Sequence, residues 1–192
     1  MAVQAQEQAQ AQIARRRFTA DEYHRMAEAG ILTEDDRVEL IAGEIVEMSP
    51  VGPRHVYRLA ILNQLLNALV GREVLVSVQS PVRLVTDGEP QPDIALLKLR
   101  PYTQALPTAD DLLLVIEVAE SSLAYDRNVK LPLYAAAGIT EAWLVNLVDE
   151  TIERHTDPRG GRYRQTVLAG RGESLASTVL PAVTIPVDAV LG

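Results

Sequence analysis

The alternation of apolar and polar positions divides the chain into an opening helix, a hairpin, a long helix, a run of strands and a mixed C-terminal part. Thr19 followed by Glu22 has the spacing of a capping box, and Gly30 stands where a helix C′ glycine belongs, so a first helix is predicted over Thr19 to Ala29. Val38 to Ile41 and Glu44 to Met48 are β-prone runs around Ala42-Gly43 and predict a hairpin. Pro53 opens an amphipathic helix that ends at Gly71, with Leu59, Leu62, Leu65, Leu66 and Leu69 at helical spacing as a core stripe.

From Glu73 the period changes. Val74 to Val78, Val82 to Val85, Ile94 to Leu97 and Leu112 to Val118 read as strands, with a turn over Thr86 to Glu89. The unbroken apolar run Leu112 to Ile116 predicts a strand covered on both faces in the middle of a sheet. Asp126 to Ala137 reads as a helix closed by Gly138, and Ala142 to Leu147 as a second buried strand. Thr151 to His155 and Tyr163 to Leu168, joined across Pro158 to Arg162, predict an exposed hairpin, and the stretch holding Pro181 and Pro186 an edge segment. Helices and strands alternate as in an α/β protein. Residues 1–17, rich in Gln, Ala and Arg, read as a flexible tail, and residues 18–192 as a single domain without internal repeat.

Composition narrows the chemistry. A chain of 192 residues with 47% hydrophobic and 23% charged side chains is the size and make-up of one globular domain. With no cysteine and only three scattered histidines (His24, His55, His155), any metal must be held by oxygen. A net charge of −8 argues against non-specific coating of nucleic acid, although a carboxylate metal site contributes to that balance. The apolar runs are too short to span a bilayer and none follows the start methionine, so a cytoplasmic protein with no membrane partner is expected. No P-loop, GxGxxG, HExxH or GxSxG pattern is present.

What remains is a set of ionisable residues in apolar surroundings. Asp93 precedes the run Ile94 to Leu97, and Glu117 ends the run Leu112 to Ile116. Two carboxylates on buried strands ask for a shared partner, and a divalent cation such as Mg²⁺ is the simplest. The alternative is that Asp93 caps a turn and Glu117 pairs with an arginine. Lys130 could serve a metal-bound water, or form an ordinary surface pair with Asp126 one helical turn earlier. Glu39 could face solvent or the metal. Gln79 could bind a ligand or satisfy a turn, and His55, early in the second helix, could meet a phosphate or face water. Tyr134, four residues beyond Lys130, reads as a half-buried packing residue.

Several stretches in order carry a resemblance: Phe18 to Tyr23, the hairpin Val38 to Met48, the Pro92-Asp93 pair, and Val115 to Val118 continuing through Tyr125 to Tyr134. Together they resemble the Uma-two family of endonucleases, first catalogued as a domain of unknown function and assigned to the PD-(D/E)xK superfamily. The resemblance spans roughly residues 18–190. It implies a restriction-endonuclease-like mixed β-sheet core flanked by α-helices, with an additional β-hairpin, and Mg²⁺- or Mn²⁺-dependent hydrolysis of nucleic acid, DNA in the first instance. By position Asp93 matches the PD aspartate, Glu117 the second acid and Glu39 the upstream acid. Ala119 occupies the standard lysine position, and Lys130 matches the lysine that similar proteins carry on the following helix. The resemblance thus implies that Asp93, Glu117 and the Val118 carbonyl hold the metal, that Glu39 assists, and that Lys130 positions the attacking water. Glu120 departs from the relatives' pattern. A homodimer is in keeping with the fold. Two other readings stay open: a non-catalytic binding or regulatory module that retains the fold, and a metal-dependent hydrolase of small phosphate esters.

Overall fold

The structure, a computed structural model, describes residues 15–84 and 87–192. Most of the expected tail, and the end of the expected strand Val82 to Val85 with the turn residue after it, lie outside the described residues.

Helix α1 (Ala20–Glu28) starts at the predicted capping box, with Thr19 and Glu22 satisfying each other's backbone N–H groups. Strands β1 (Val38–Ile41) and β2 (Glu44–Glu47) form the predicted hairpin. Its turn holds both Ala42 (φ 48°) and Gly43 (φ 79°) in the left-handed region, the geometry of a type I′ turn. Helix α2 (Pro53–Leu69) follows.

The core is one six-stranded sheet in the order β3 (Val74–Val78), β4 (Ile94–Lys98), β5 (Leu112–Ala119), β6 (Glu141–Asn146), β7 (Thr151–Arg159) and β8 (Arg162–Ala169). All neighbours are antiparallel except β5 and β6, which run parallel and need a helical crossover. That crossover is α3 (Leu123–Tyr125), a π-helical turn (Asp126–Lys130) and α4 (Leu131–Ala136). Alternation sends Leu96, Leu114, Ile116 and Trp143 to the face covered by α2, and Ala95, Leu97, Val115 and Leu144 to the face covered by α4. Both faces of β4 and β5 are therefore buried, as the continuous apolar run in β5 implied.

Three expectations change. The described part of Val82 to Val85 is not a sheet strand: Val82 N–H bonds Pro90 O and Leu84 N–H bonds Gly88 O, so the loop closes on itself. Pro81, Pro90 and Pro92 have no N–H to extend a ladder there. The hairpin after β6 is only half exposed, because β7 joins the sheet and buries Ile152 while β8 forms the outer edge. The C-terminal stretch is no loose edge. It forms a separate hairpin, β9 (Ser174–Ala176) with β10 (Thr184–Pro186), and a short helix α5 (Val187–Leu191) that buries Val187, Val190 and Leu191 against α2.

Candidate active site

Register creates the site. β4 and β5 are last paired at Ile94 and Ile116, and β3 and β4 at Val78 and Ile94. One residue further along the same ladders, Gln79, Asp93 and Glu117 stand in a row across three strands. Period-2 alternation turns Asp93 and Glu117 towards the α4 face, the side of Ala95, Val115 and Ala119. Two carboxylates opposite each other across a ladder repel. The surrounding donors are the response.

Asp93 accepts from His55 Nε2 and Gln79 Nε2, each at 3.1 Å on Oδ1, and from the Val118 N–H at 2.9 Å on Oδ2. Burial alone would raise its pKa, but His55, the Val118 N–H and Gln79 hold the carboxyl below the usual range. His55 is buried beside it, and its ring also meets the Val118 backbone. The hydrogen bond it donates to Asp93 leads the effects that keep His55 more basic than an ordinary histidine. His55 is thus neither solvent-facing nor free at the helix N-terminus. Gln79 reaches Asp93 from a left-handed backbone conformation (φ 46°), which costs a non-glycine residue of the order of 1 kcal/mol.

Glu117 is 2% exposed. Its Oε1 accepts from the Tyr134 hydroxyl and faces Lys130 Nζ at 3.4 Å, and its Oε2 lies 3.3 Å from the Asp93 N–H. Burial, reinforced by Asp93 and Asp126 and opposed by Lys130 and the Tyr134 hydrogen bond, pushes Glu117 up to about 8. Lys130 is itself buried, with Nζ 3.2 Å from Gln91 O and 3.3 Å from Glu39 Oε2. Burial works against its charge, but Glu117, Glu39, Asp126 and Asp93 outweigh that, and the ammonium is held well above ordinary lysine. Glu39 faces inward at 3% exposure, bound by the Gln91 N–H at 3.1 Å and the Tyr125 hydroxyl at 3.3 Å. Its hairpin neighbour Glu44 faces solvent.

The π turn explains how the helix serves this cluster. The Leu131 N–H bonds Asp126 O, five residues back, and Pro132 has no N–H with which to resume the α ladder at the next step. Asp126, Lys130 and Tyr134 all fall on the buried face. The surface pair between Asp126 and Lys130 is therefore absent: each is buried and takes other partners, Asp126 accepting from Ser122 Oγ at 2.6 Å. Tyr134 is fully buried rather than half-buried, and its hydroxyl is committed to Glu117. The i, i+4, i+8 recurrence of polar groups was the legible signal that this face is a site wall. Gln91 and Tyr125, which hold Glu39, carried no such signal.

Apart from the fully buried Tyr134, these residues line one cleft of about 270 Å³, whose wall also includes Met48 to Gly52 and Glu120 to Ser122. Glu120 sits at the rim, 3.6 Å from Arg54, which also meets Glu150. Among the described residues no three His, Asp or Glu side chains converge on one point. The acids Glu39, Asp93, Glu117 and Asp126 face Lys130 and His55, and Asp93 and Asp126 add to the burial that drives Glu117 up. Such a set suits a hard cation taking one or two protein carboxylates and keeping its waters, and does not suit a caged zinc.

A mixed sheet flanked by helices, with an acidic cleft beside the ends of its central strands, defines the restriction-endonuclease-like α/β class. The chain matches the Uma2 family, described as "Putative restriction endonuclease", over residues 20–188, and it belongs to that family. Among solved structures it is similar to one titled "a putative nuclease belonging to DUF820 from Anabaena variabilis ATCC 29413", with TM-score 0.70 and 15% identity over 91% of this chain and 97% of that one. At this identity the likeness speaks for the fold. No curated protein matches the chain. Among the described residues no helix is long and apolar enough to cross a membrane.

Proposed function

We propose that this protein is a metal-dependent endonuclease that hydrolyses phosphodiester bonds of nucleic acid, DNA in the first instance. The observation that carries the reading is the convergence of Glu39, Asp93, Glu117 and Lys130, from separate segments, on one cleft. Asp93 Oδ2 and Glu117 Oε2 each meet a single backbone N–H, which leaves a lone pair on each for a cation, and the Val118 carbonyl is the third donor in this reading. Bound there, Mg²⁺ or Mn²⁺ supplies Lewis-acid activation of a phosphoryl oxygen and of water.

The chain's own residues do the rest. His55 and Gln79 orient Asp93 so that Oδ2 faces away from them, and Tyr134 does the same for Glu117 by occupying Oε1. Lys130, held as an ammonium, stabilises negative charge that grows on the phosphoryl group. Glu39 holds that ammonium in place. In this arrangement His55 and Gln79 are positioning residues for the metal carboxylate rather than substrate contacts.

The test is Mn²⁺ calorimetry on wild type and Asp93→Ala, followed by cleavage of single- and double-stranded oligonucleotides with Mg²⁺ or Mn²⁺. Binding and cleavage by wild type that both vanish in the variant support the reading. Full metal-dependent cleavage by Asp93→Ala overturns it. The cleft's volume of about 270 Å³ also favours a second reading, hydrolysis of a small phosphate ester, and nucleotide competition against an oligonucleotide separates the two.

A further inference from the structure

Hydrolysis by water needs a group to take the water's proton, and the residues assigned so far do not supply one. Lys130 is held charged and already donates to Gln91, Glu39 and Glu117. Glu39 has both oxygens engaged by donors of this chain, and the lone pairs left on Asp93 Oδ2 and Glu117 Oε2 are the ones the nuclease reading gives to the cation. Asp126 differs. Its Oδ2 accepts from Ser122 Oγ, among the described residues no donor reaches its Oδ1, and the residue lines the cleft while being only 3% exposed. Among the described residues the one buried side-chain polar atom that lacks a partner is Arg154 Nε. Asp126 Oδ1 is therefore not sealed in the protein, and the residue that carries it lines the cleft.

Resting on the nuclease reading, we propose that Asp126 is the general base, accepting the proton of the attacking water through Oδ1. As the water oxygen forms its bond to phosphorus, one of its O–H bonds breaks and the proton passes to Asp126. The phosphorus bond to the leaving oxygen breaks with its electron pair, and that oxygen takes a proton from solvent. Asp126 then returns its proton to bulk water. Nothing is oxidised or reduced, and the products are a phosphomonoester end and an alcohol.

The environment suits the task. Burial carries Asp126 up to about 6, against the Ser122 hydrogen bond and Lys130, so the group is ionised at neutral pH yet more basic than a free carboxylate. The charged groups facing it are Lys130 on its own helix, Glu39 of β1, Asp93 before β4, Glu117 of β5 and His55 of α2. Asp126 opens the π turn and lines the cleft, and among the described residues no cationic side chain pairs with its carboxylate.

The experiment compares the full chain with Asp126→Asn and Asp126→Glu. Three quantities are read: thermal melting, Mn²⁺ affinity by calorimetry, and oligonucleotide cleavage with Mn²⁺. Asp126→Asn should melt like wild type, bind Mn²⁺ within about twofold, and cleave roughly 10² to 10⁴-fold more slowly. Asp126→Glu, which keeps a base, should retain at least about tenfold more cleavage than Asp126→Asn. Cleavage by Asp126→Asn at the wild-type rate, or equal losses in the two variants, overturns the assignment and leaves the nuclease reading standing. Loss of Mn²⁺ binding in Asp126→Asn makes the residue a metal ligand instead and likewise overturns it. A wild type that binds Mn²⁺ but cleaves no oligonucleotide overturns the nuclease reading, and this proposal falls with it.

Discussion

Replacing Lys130 by methionine keeps most of the apolar stem and removes one buried ammonium. Its nitrogen lies 3.3 Å from Glu39 and 3.4 Å from Glu117, both carboxylates being almost fully buried. At an effective dielectric of about 20, each contact has a gross Coulomb energy of about 5 kcal/mol. Desolvation of the lysine, several kcal/mol, offsets much of this. The net loss is larger than that difference suggests, because the variant leaves two acids without their cation. Removing one member of a buried pair costs about 3–5 kcal/mol. For a chain of this size that corresponds to a fall in Tm of roughly 6–20 °C. The assay is urea or thermal unfolding without divalent cations at pH 8.5, above the Glu117 value of about 8, so that both partners are charged. Glu39→Gln alone and with Lys130→Met completes a double-mutant cycle, with an expected coupling above about 1 kcal/mol. A Tm within about 2 °C of wild type together with zero coupling would refute the claim that Lys130 is the electrostatic keystone of the cleft.

Two other outcomes are expected. The pKa of Glu117 is raised in the folded state above its unfolded value of about 4.3, so its contribution to stability is fully present below that pH and is lost as pH rises to about 8. Glu117→Gln should therefore be more stable than wild type by roughly 2–4 kcal/mol at pH 8.5 without divalent cations, converge with it near pH 4, and gain nothing from Mn²⁺; melting curves that run parallel across this range would count against it. Asp111 behaves oppositely: burial opposes its charge, but the Thr108 N–H at 2.9 Å and Arg100 hold its carboxyl below the usual range. That stability is present above the unfolded value of about 3.9 and lost as pH falls, so Asp111→Asn should cost about 1–2 kcal/mol at pH 7 and nothing measurable in acid, read by urea unfolding at both pH values.

Local elements were written in the sequence wherever one segment's own chemistry decides its conformation. The Thr19–Glu22 capping box, the Ala42-Gly43 turn, the leucine stripe of α2 and the apolar run of β5 are all found as their spacing predicts. The resemblance carried by the Pro92-Asp93 pair and by the stretch from Val115 to Tyr134 extended this to fold class and family. Position along the chain also marked Asp93, Glu117, Lys130 and Glu39, but left Asp93 a turn-capping, Glu117 and Lys130 a salt-bridged and Glu39 a solvent-facing alternative. Tertiary structure decided where each of these side chains lies. The row Gln79, Asp93 and Glu117 exists only once three strands are paired in one register, and strand pairing is a non-local choice that no segment encodes alone. The spacing of Asp126, Lys130 and Tyr134 puts them on one face of the crossover, but that this face turns inward is decided by how the crossover packs on the sheet. The burial of α5 depends on a face of α2 that lies far away in sequence. Periodicity reports which side of an element is apolar, whereas the charge state of a buried group is set by whatever other elements bring against it.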